Sequence, residues 1–474
     1  MAARPSGFFL ILNYRLTRHI FAQPTRLHNN YEMLNIYTVS QAQSTILRRD
    51  DAFLFDQIEL TDTQRDQAIK LYGKALNPDE GVRHILNDVR LRGDAALHEW
   101  TAKLDGHTNA ALRVEKADWA AALDRIDSEL AAALDIAGQR IRDFHSRQPL
   151  PNWTTTEMGG TIGQRVTPID RVGVYVPGGT APLPSTLIMC AIPARVAGVR
   201  ELVVVTPPGP DGRVPDVILA AAAIADVDEL YMIGGAQAIG ALTFGSETIP
   251  RVNKIVGPGS LWVTLAKRQV YGMVGVDGLY GPTETVVVAD DTANPSWVAA
   301  DMLAQAEHDT LATAILFTSS KKVAEAVQIE VGHQLEERGR ADIIAESLAK
   351  QCGIVITDSM DQACALASDF AAEHTCIASA DPSPWIDKIP DAGGLFIGER
   401  SFEVLGDYVA GPSHVMPTGA TARFSSPLNV SDFVKITSII ELDAATSAQL
   451  SPIAAQIASA EGLDGHAAAA QKRI

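Results

Sequence analysis

R-V-G-V-Y-V-P-G-G, residues 171–179, decides the fold. A short apolar run ends in Pro-Gly-Gly, and a longer apolar stretch, 185–198, follows it. A continuous apolar run closed by such turn residues reads as a strand buried on both faces. The unit recurs. E-L-V-V-V-T-P-P-G (201–209) precedes a helix-like 215–227, and E-L-Y-M-I-G-G (229–235) precedes A-Q-A-I-G-A-L. K-I-V-G-P-G (254–259) precedes S-L-W-V-T-L-A-K-R-Q-V-Y. Strand–turn–helix units at this spacing predict a parallel sheet covered on both faces.

Working outward, a second alternation follows. T-V-V-V-A-D (285–290) leads into a helix over 296–308, and A-I-L-F-T (314–318) into a charged helix over 321–338. G-I-V-I-T (353–357) leads into a helix over 360–370, and G-G-L-F-I-G (393–398) closes the series. The fold class is therefore α/β, with two parallel-sheet units in tandem. Upstream, 59–147 reads as helices, one of them opened by Asn77-Pro78 and closed by Gly93. The tail, from A-A-T-S-A-Q-L to E-G-L-D-G-H, reads as one or two amphipathic helices.

Bulk properties narrow the function. A chain of 474 residues is long enough for two to four domains. Its net charge of −18 disfavours nucleic acid and anionic membrane, which both need a basic face. No apolar run is long enough to predict a membrane-spanning helix. The four cysteines, Cys190, Cys352, Cys364 and Cys376, form no close pair. A reducing compartment fits them better than a disulfide framework, and any metal must use His, Asp, Glu or Gln. Before Glu32 there are arginines but no acidic residue. A transit peptide has that composition; we favour Met33 as the start, with the extension untranslated or disordered.

Three glycine-rich turns, P-G-G-T-A-P (177–182), G-G-A-Q-A (234–238) and G-P-G-S (257–260), sit where strands end. Ligands of open parallel sheets bind there, and glycine lets backbone N–H groups approach them. None is G-x-G-x-x-G, so a dinucleotide site and ordinary strand–helix turns both remain open.

Gln305 and His308 lie three apart on a helix and face one way, offering an amide oxygen and an imidazole that suit zinc or manganese. The alternative is that His308 only completes a helix end. Glu373-His374 pairs a carboxylate with an imidazole, two groups tunable toward neutral pH. Both serve one site only if the chain bends there; otherwise the pair is an exposed dipeptide. The polar stretch 405–424, with Asp407, His414 and Arg423, reads as an ordered functional loop. Glu461 and His466 mark either a site contribution or a solvated helical face.

V-G-V-Y-V-P-G-G, G-G-A-Q-A-I, K-I-V-G-P-G, A-K-R-Q-V, Q-A-E-H, A-E-H and G-D-Y-V-A-G-P-S-H-V-M-P-T-G-x-T-A-R-F occur in the order seen in the histidinol dehydrogenase family, which the chain resembles from about residue 33 to its end. That resemblance implies a homodimer with one zinc per subunit. It implies oxidation of L-histidinol to L-histidine through the aldehyde with two NAD. It implies two incomplete Rossmann-like domains and a C-terminal segment that crosses to the partner. On this division, 33–168 is a mainly helical region contributing to the first domain, 169–282 contacts NAD, 283–400 carries ligands and bases, and 401–474 is active-site loop and tail.

By the same resemblance the metal ligands are Gln305, His308, Asp407 and His466, the last from the other subunit, and the bases are Glu373 and His374. Substrate contacts fall at Thr283, Gln305, His308, His374, Asp407, His414, Glu461 and His466; NAD contacts fall at Tyr175, Gln237 and Ser260. The chain departs from the common pattern at Ser260, where many members have Asn, and at Ala372 and Thr375, where many have Pro and Leu. A cytoplasmic setting follows, or an organellar one if the extension is a transit peptide. A paralogue acting on another small alcohol, a zinc hydrolase and an inactive binding protein are the rival readings.

Overall fold

The computed structural model describes residues 34–49, 61–108, 111–178 and 182–473. The expected extension and residues 179–181 of the first glycine-rich turn lie outside them.

The first sheet is built on Arg171–Tyr175, whose five residues are all buried. Glu201–Thr206 and then Glu229–Met232 lie parallel on one side of it, Lys254–Val256 and then Gly275–Val276 on the other. In chain order this is 3-2-1-4-5. A short strand, Arg113–Val114, is added antiparallel outside the third. The chain needs bulk on both faces of this sheet and supplies it. Helix Pro184–Val196 is apolar nearly all round and packs on one face. Helices Pro78–Arg92 and Gly235–Phe244 cover the other.

The helix at 78–92 forms as its sequence dictates. Asn77 accepts from the Glu80 N–H while Glu80 reaches back to the Asn77 N–H; proline occupies the first turn and Gly93 stops it. Val82, Ile85, Leu86 and Val89 share its buried face. Each contributes about 1.5–3 kcal/mol relative to exposure.

The second sheet repeats the plan. Glu284–Ala289 is central, with Thr313–Thr318 and Gly353–Ile356 on one side, His374–Ala378 and Gly394–Ile397 on the other, all parallel. The order is again 3-2-1-4-5. Ile36–Thr38 adds a parallel strand outside the third, Ile36 opposite Ile354. This N-terminal piece thus belongs to the second sheet, whereas the sequence suggested that its whole region serves the first. A three-residue strand has too little pattern to announce its partner.

A third sheet was not foreseen. Val434–Leu442 pairs antiparallel with Gly160–Pro168 over nine residues, and Trp153–Thr155 completes it. The chain then forms two tail helices, Ala444–Ala460 and Asp464–Gln471. All four cysteines are free and buried. No described helix is long and apolar enough to cross a membrane.

Candidate active site

The candidate residues converge at the amino ends of the second sheet. Thr283 immediately precedes the central strand, and His374 begins the strand beside it. Helix Pro295–Ala306 runs back along the sheet, so its carboxyl end returns Gln305 and His308 to the same edge. The stretch 405–424, expected to be a loop, begins inside a short helix, Glu403–Tyr408. Four residues apart, Glu403 and Asp407 share its face. His374 lies with them, one ligand-capable atom from each within 4.8 Å of the others.

The bend that Glu373-His374 requires is present. Helix Met360–Phe370 ends at Ala371, which takes the left-handed conformation with φ 50°. The chain turns there, and both side chains reach one site. Glu373 accepts a hydrogen bond from Thr283 Oγ1 at 2.5 Å and from the Glu284 N–H at 3.2 Å. Gln305 Nε2 donates to Thr283 Oγ1 at 2.9 Å. His374 Nδ1 lies 3.3 Å from the Glu284 carbonyl oxygen, which assigns the proton to Nδ1. Its Nε2 is 3.3 Å from Asp407 Oδ1 but off-line for a hydrogen bond. His414 Nδ1 donates to the Asp407 carbonyl at 2.7 Å, and His414 Nε2 lies 3.4 Å from Thr186 Oγ1. Thr186 is in the first turn of the helix that follows the first sheet's central strand. The carboxyl side of one sheet therefore meets the amino side of the other.

Burial and mutual charge set the protonation of this cluster. Glu373 is pushed up to about 7 by burial, opposed by His374 and the Thr283 hydrogen bond. Burial pulls His374 down, but the carboxylates of Glu403, Glu373 and Asp407 outweigh it and carry it to about 10. Glu403 is carried up to about 8, burial leading and His374 opposing. Asp407 is held below its ordinary value: burial pushes it up, and the close positive charge of His374, with His414 and His308 behind it, outweighs that. His308 is open to solvent yet crowded at longer range, and desolvation lowers it against the pull of Asp407.

The donor set fits a divalent cation. Gln305 Oε1 and Glu403 Oε1 are buried without hydrogen-bond partners, and His374 Nε2 has none. Oxygen and imidazole donors around concentrated negative charge suit a borderline or hard metal ion. Of the expected ligands, Asp407 lies in this cluster, Gln305 joins it through Thr283, and His308 feels it through the charge of Asp407. Glu461 and His466 are exposed at the tail helices, and no described hydrogen bond joins either to the cluster. Glu403 was missed. Its signal was the spacing E-x-x-x-D, which has meaning only once 403–408 is known to be helical.

The three expected cofactor contacts lie at the carboxyl ends of the first sheet. Tyr175 ends the central strand, is buried, and accepts from the Gly235 N–H at 3.0 Å. Burial raises its hydroxyl to about 12, so it stays protonated. Gln237 is 0% exposed, and both its amide atoms lack hydrogen-bond partners. Ser260 is exposed and starts helix Leu261–Val270; its carbonyl accepts from the Val263 and Thr264 N–H groups, but its hydroxyl makes no cap bond. A buried amide and a free N-terminal hydroxyl beside glycine turns form a polar cradle at the sheet's switch point.

A family model described as histidinol dehydrogenase matches residues 74–474. The histidinol dehydrogenase of Deinococcus radiodurans is 47% identical over 422 residues, covering 89% of this chain and 96% of that protein. That of Dehalococcoides mccartyi is 46% identical over 436 residues, covering 92% and 98%. The crystal structure of histidinol dehydrogenase from Elizabethkingia anophelis matches with a TM-score of 0.83 at 32% identity, covering 93% of this chain and 98% of that one.

Proposed function

The chain belongs to the histidinol dehydrogenase family and has that oxidoreductase activity, which serves histidine biosynthesis, and from this premise we propose how its residues divide the work. L-histidinol is oxidised to the aldehyde and the aldehyde to L-histidine. Gln305, His308 and Asp407 hold one zinc per subunit, with His466 supplied by a second copy of the chain. Zinc, when bound, acts as a Lewis acid that orients the substrate. NAD, when bound at Tyr175, Gln237 and Ser260, takes two electrons and one proton in each oxidation.

The protein moves the other protons. His374 accepts the hydroxyl proton of the alcohol at Nε2, because Nδ1 is committed to the Glu284 carbonyl. Three carboxylates favour its charged form; a cation held by Asp407 would offset part of that charge and favour the neutral imidazole that accepts the proton. Glu373 accepts a proton from the water that hydrates the aldehyde. The observation that carries this assignment is its buried carboxyl, pushed up to about 7 and fixed by Thr283 and the Glu284 N–H. Thr283 and His414, together with Glu461 from the second copy, line the substrate.

The domain plan follows the same reading. Residues 169–282 and 283–400 are incomplete Rossmann-like units, 33–168 supports them, and 401–474 provides the active-site segment and a tail exchanged between subunits. Buried free cysteines and bacterial relatives support a reducing, cytoplasmic setting. The test is NADH formed per histidinol consumed by zinc-loaded protein. Two NADH, lost with a chelator and restored by zinc, is the expected result; one NADH with aldehyde released removes the assignment of Glu373.

A further inference from the structure

We infer that the buried Lys267–Asp277 pair is a positioning device for the dinucleotide, clamping both polar groups of Gly257 and so fixing the Gly257–Ser260 turn. This rests on the reading that NAD lies at the carboxyl ends of the first sheet.

Gly257 follows strand Lys254–Val256. Its N–H donates to Asp277 Oδ2 at 2.7 Å, and its carbonyl accepts from Lys267 Nζ at 2.9 Å. Lys267 Nζ and Asp277 Oδ1 are 2.5 Å apart, and Oδ1 also accepts from the Gly278 N–H at 2.7 Å. The two side chains are 2% and 1% exposed. The Tyr280 ring lies over the ammonium, its centroid at 4.9 Å. Apart from the bond to the Gly278 N–H, these hydrogen bonds run to Gly257 or within the pair.

The far end of the turn is held by the Ser260 carbonyl, which accepts from the Val263 and Thr264 N–H groups; its near end rests on Gly257. Gly257 has φ 110°, and a Cβ there would lie 2.2 Å from the Tyr175 carbonyl oxygen. The residue can have no side chain of its own to anchor it, and its peptide groups are held by Lys267 and Asp277 instead. Lys267 stands on the helix that Ser260 opens, and Asp277 follows strand Gly275–Val276. The pair thus ties the turn, its helix and the neighbouring strand together beside Tyr175. A buried ion pair is a poor source of stability, because desolvation offsets attraction. Its geometry here specifies a backbone instead.

The experiment is steady-state kinetics of full-length, zinc-loaded Lys267→Met and Asp277→Asn, with Gln237→Leu as a direct probe of the cofactor site. Asp277→Asn keeps the side-chain shape and serves if Lys267→Met fails to fold. The expected result is a KM for NAD raised about tenfold, with KM for histidinol and kcat at saturating NAD within about twofold of the parent. A purely structural role lowers the yield and melting temperature of folded protein but gives no such split, and that result overturns the inference. If Gln237→Leu weakens NAD and the pair variants do not, the inference fails while the cofactor site stands. If none of the three alters NAD, the site itself is wrong and the inference falls with it.

Discussion

Glu373 is a carboxyl group asked to act as a base, and Thr283 and the Glu284 N–H hold it where a water can reach it. Glu373→Gln keeps the shape and removes the basicity. The second oxidation is expected to slow by about 10²–10⁴-fold, with NADH per histidinol falling from two toward one; two NADH at the parent rate sinks the assignment. Asp407→Asn removes charge from the middle of the cluster. Zinc affinity is expected to fall roughly tenfold or more, read by equilibrium dialysis with metal analysis, and unchanged stoichiometric zinc counts against it as a ligand. Asp105 gives a pH prediction away from the metal. It ends helix Asp94–Asp105, where a negative charge is disfavoured, and its Oδ2 is buried without a partner. Desolvation carries it from 3.8 to about 6. A carboxyl raised in the folded state stabilises fully below its unfolded value, and that contribution is lost as pH rises through the folded one. Asp105→Asn is therefore expected to stabilise by on the order of 2 kcal/mol at pH 8 and by little near pH 4. Equal shifts in melting temperature at the two pH values overturn this.

At the scale of elements, the turn after helix Met360–Phe370 is the most demanding piece of local structure, because an alanine holds φ 50° there. Ala371→Gly removes the steric cost and is expected to be neutral or stabilising by up to about 1 kcal/mol. Ala371→Val is expected to destabilise by about 1–2 kcal/mol and to lower kcat, since the turn aims Glu373 and His374. Denaturant unfolding and rates together test this, and a fully stable, fully active valine variant refutes it. Much of the architecture was legible at this scale. The inner strands at 171–175, 201–206 and 284–289 are buried on both faces, so they read as unbroken apolar runs, and glycine or proline marked several of their ends. The third sheet was not legible, because Val434–Leu442 mixes polar and apolar residues and is mostly exposed. The meeting point of the site was not legible either. The glycine turns drew attention to carboxyl ends, whereas Gln305 and His374 meet at amino ends because the helix carrying Gln305 runs back along the sheet. Spacing showed that Gln305 and His308 face one way; the family resemblance, not spacing, supplied Asp407 and His466 as their companions.

At the scale of the whole molecule, the tail displays an exposed apolar surface, which the proposed dimer would cover. Leu450, Ile453 and Ile457 form an exposed stripe on helix Ala444–Ala460, and Ile436 and Ile440 are exposed on the strand before it. Ile453→Glu with Ile457→Glu is expected to convert the proposed dimer to monomers in sedimentation and to abolish activity, because Glu461 and His466 then no longer reach a partner's site. A double variant that stays dimeric and active rejects the exchanged tail. The strand Val434–Leu442 carries a further consequence. It is nine residues long, pairs on one side only, and forms the border of its sheet. Lys435 and Glu441 are its only charges, so little guards that border against another unpaired strand. Diluting the protein below the dissociation constant of the proposed dimer should therefore not yield quiet single subunits. Chains separated in this way and then reconcentrated should stick to one another through these borders, and light scattering should climb over hours where undiluted protein at the same concentration stays clear.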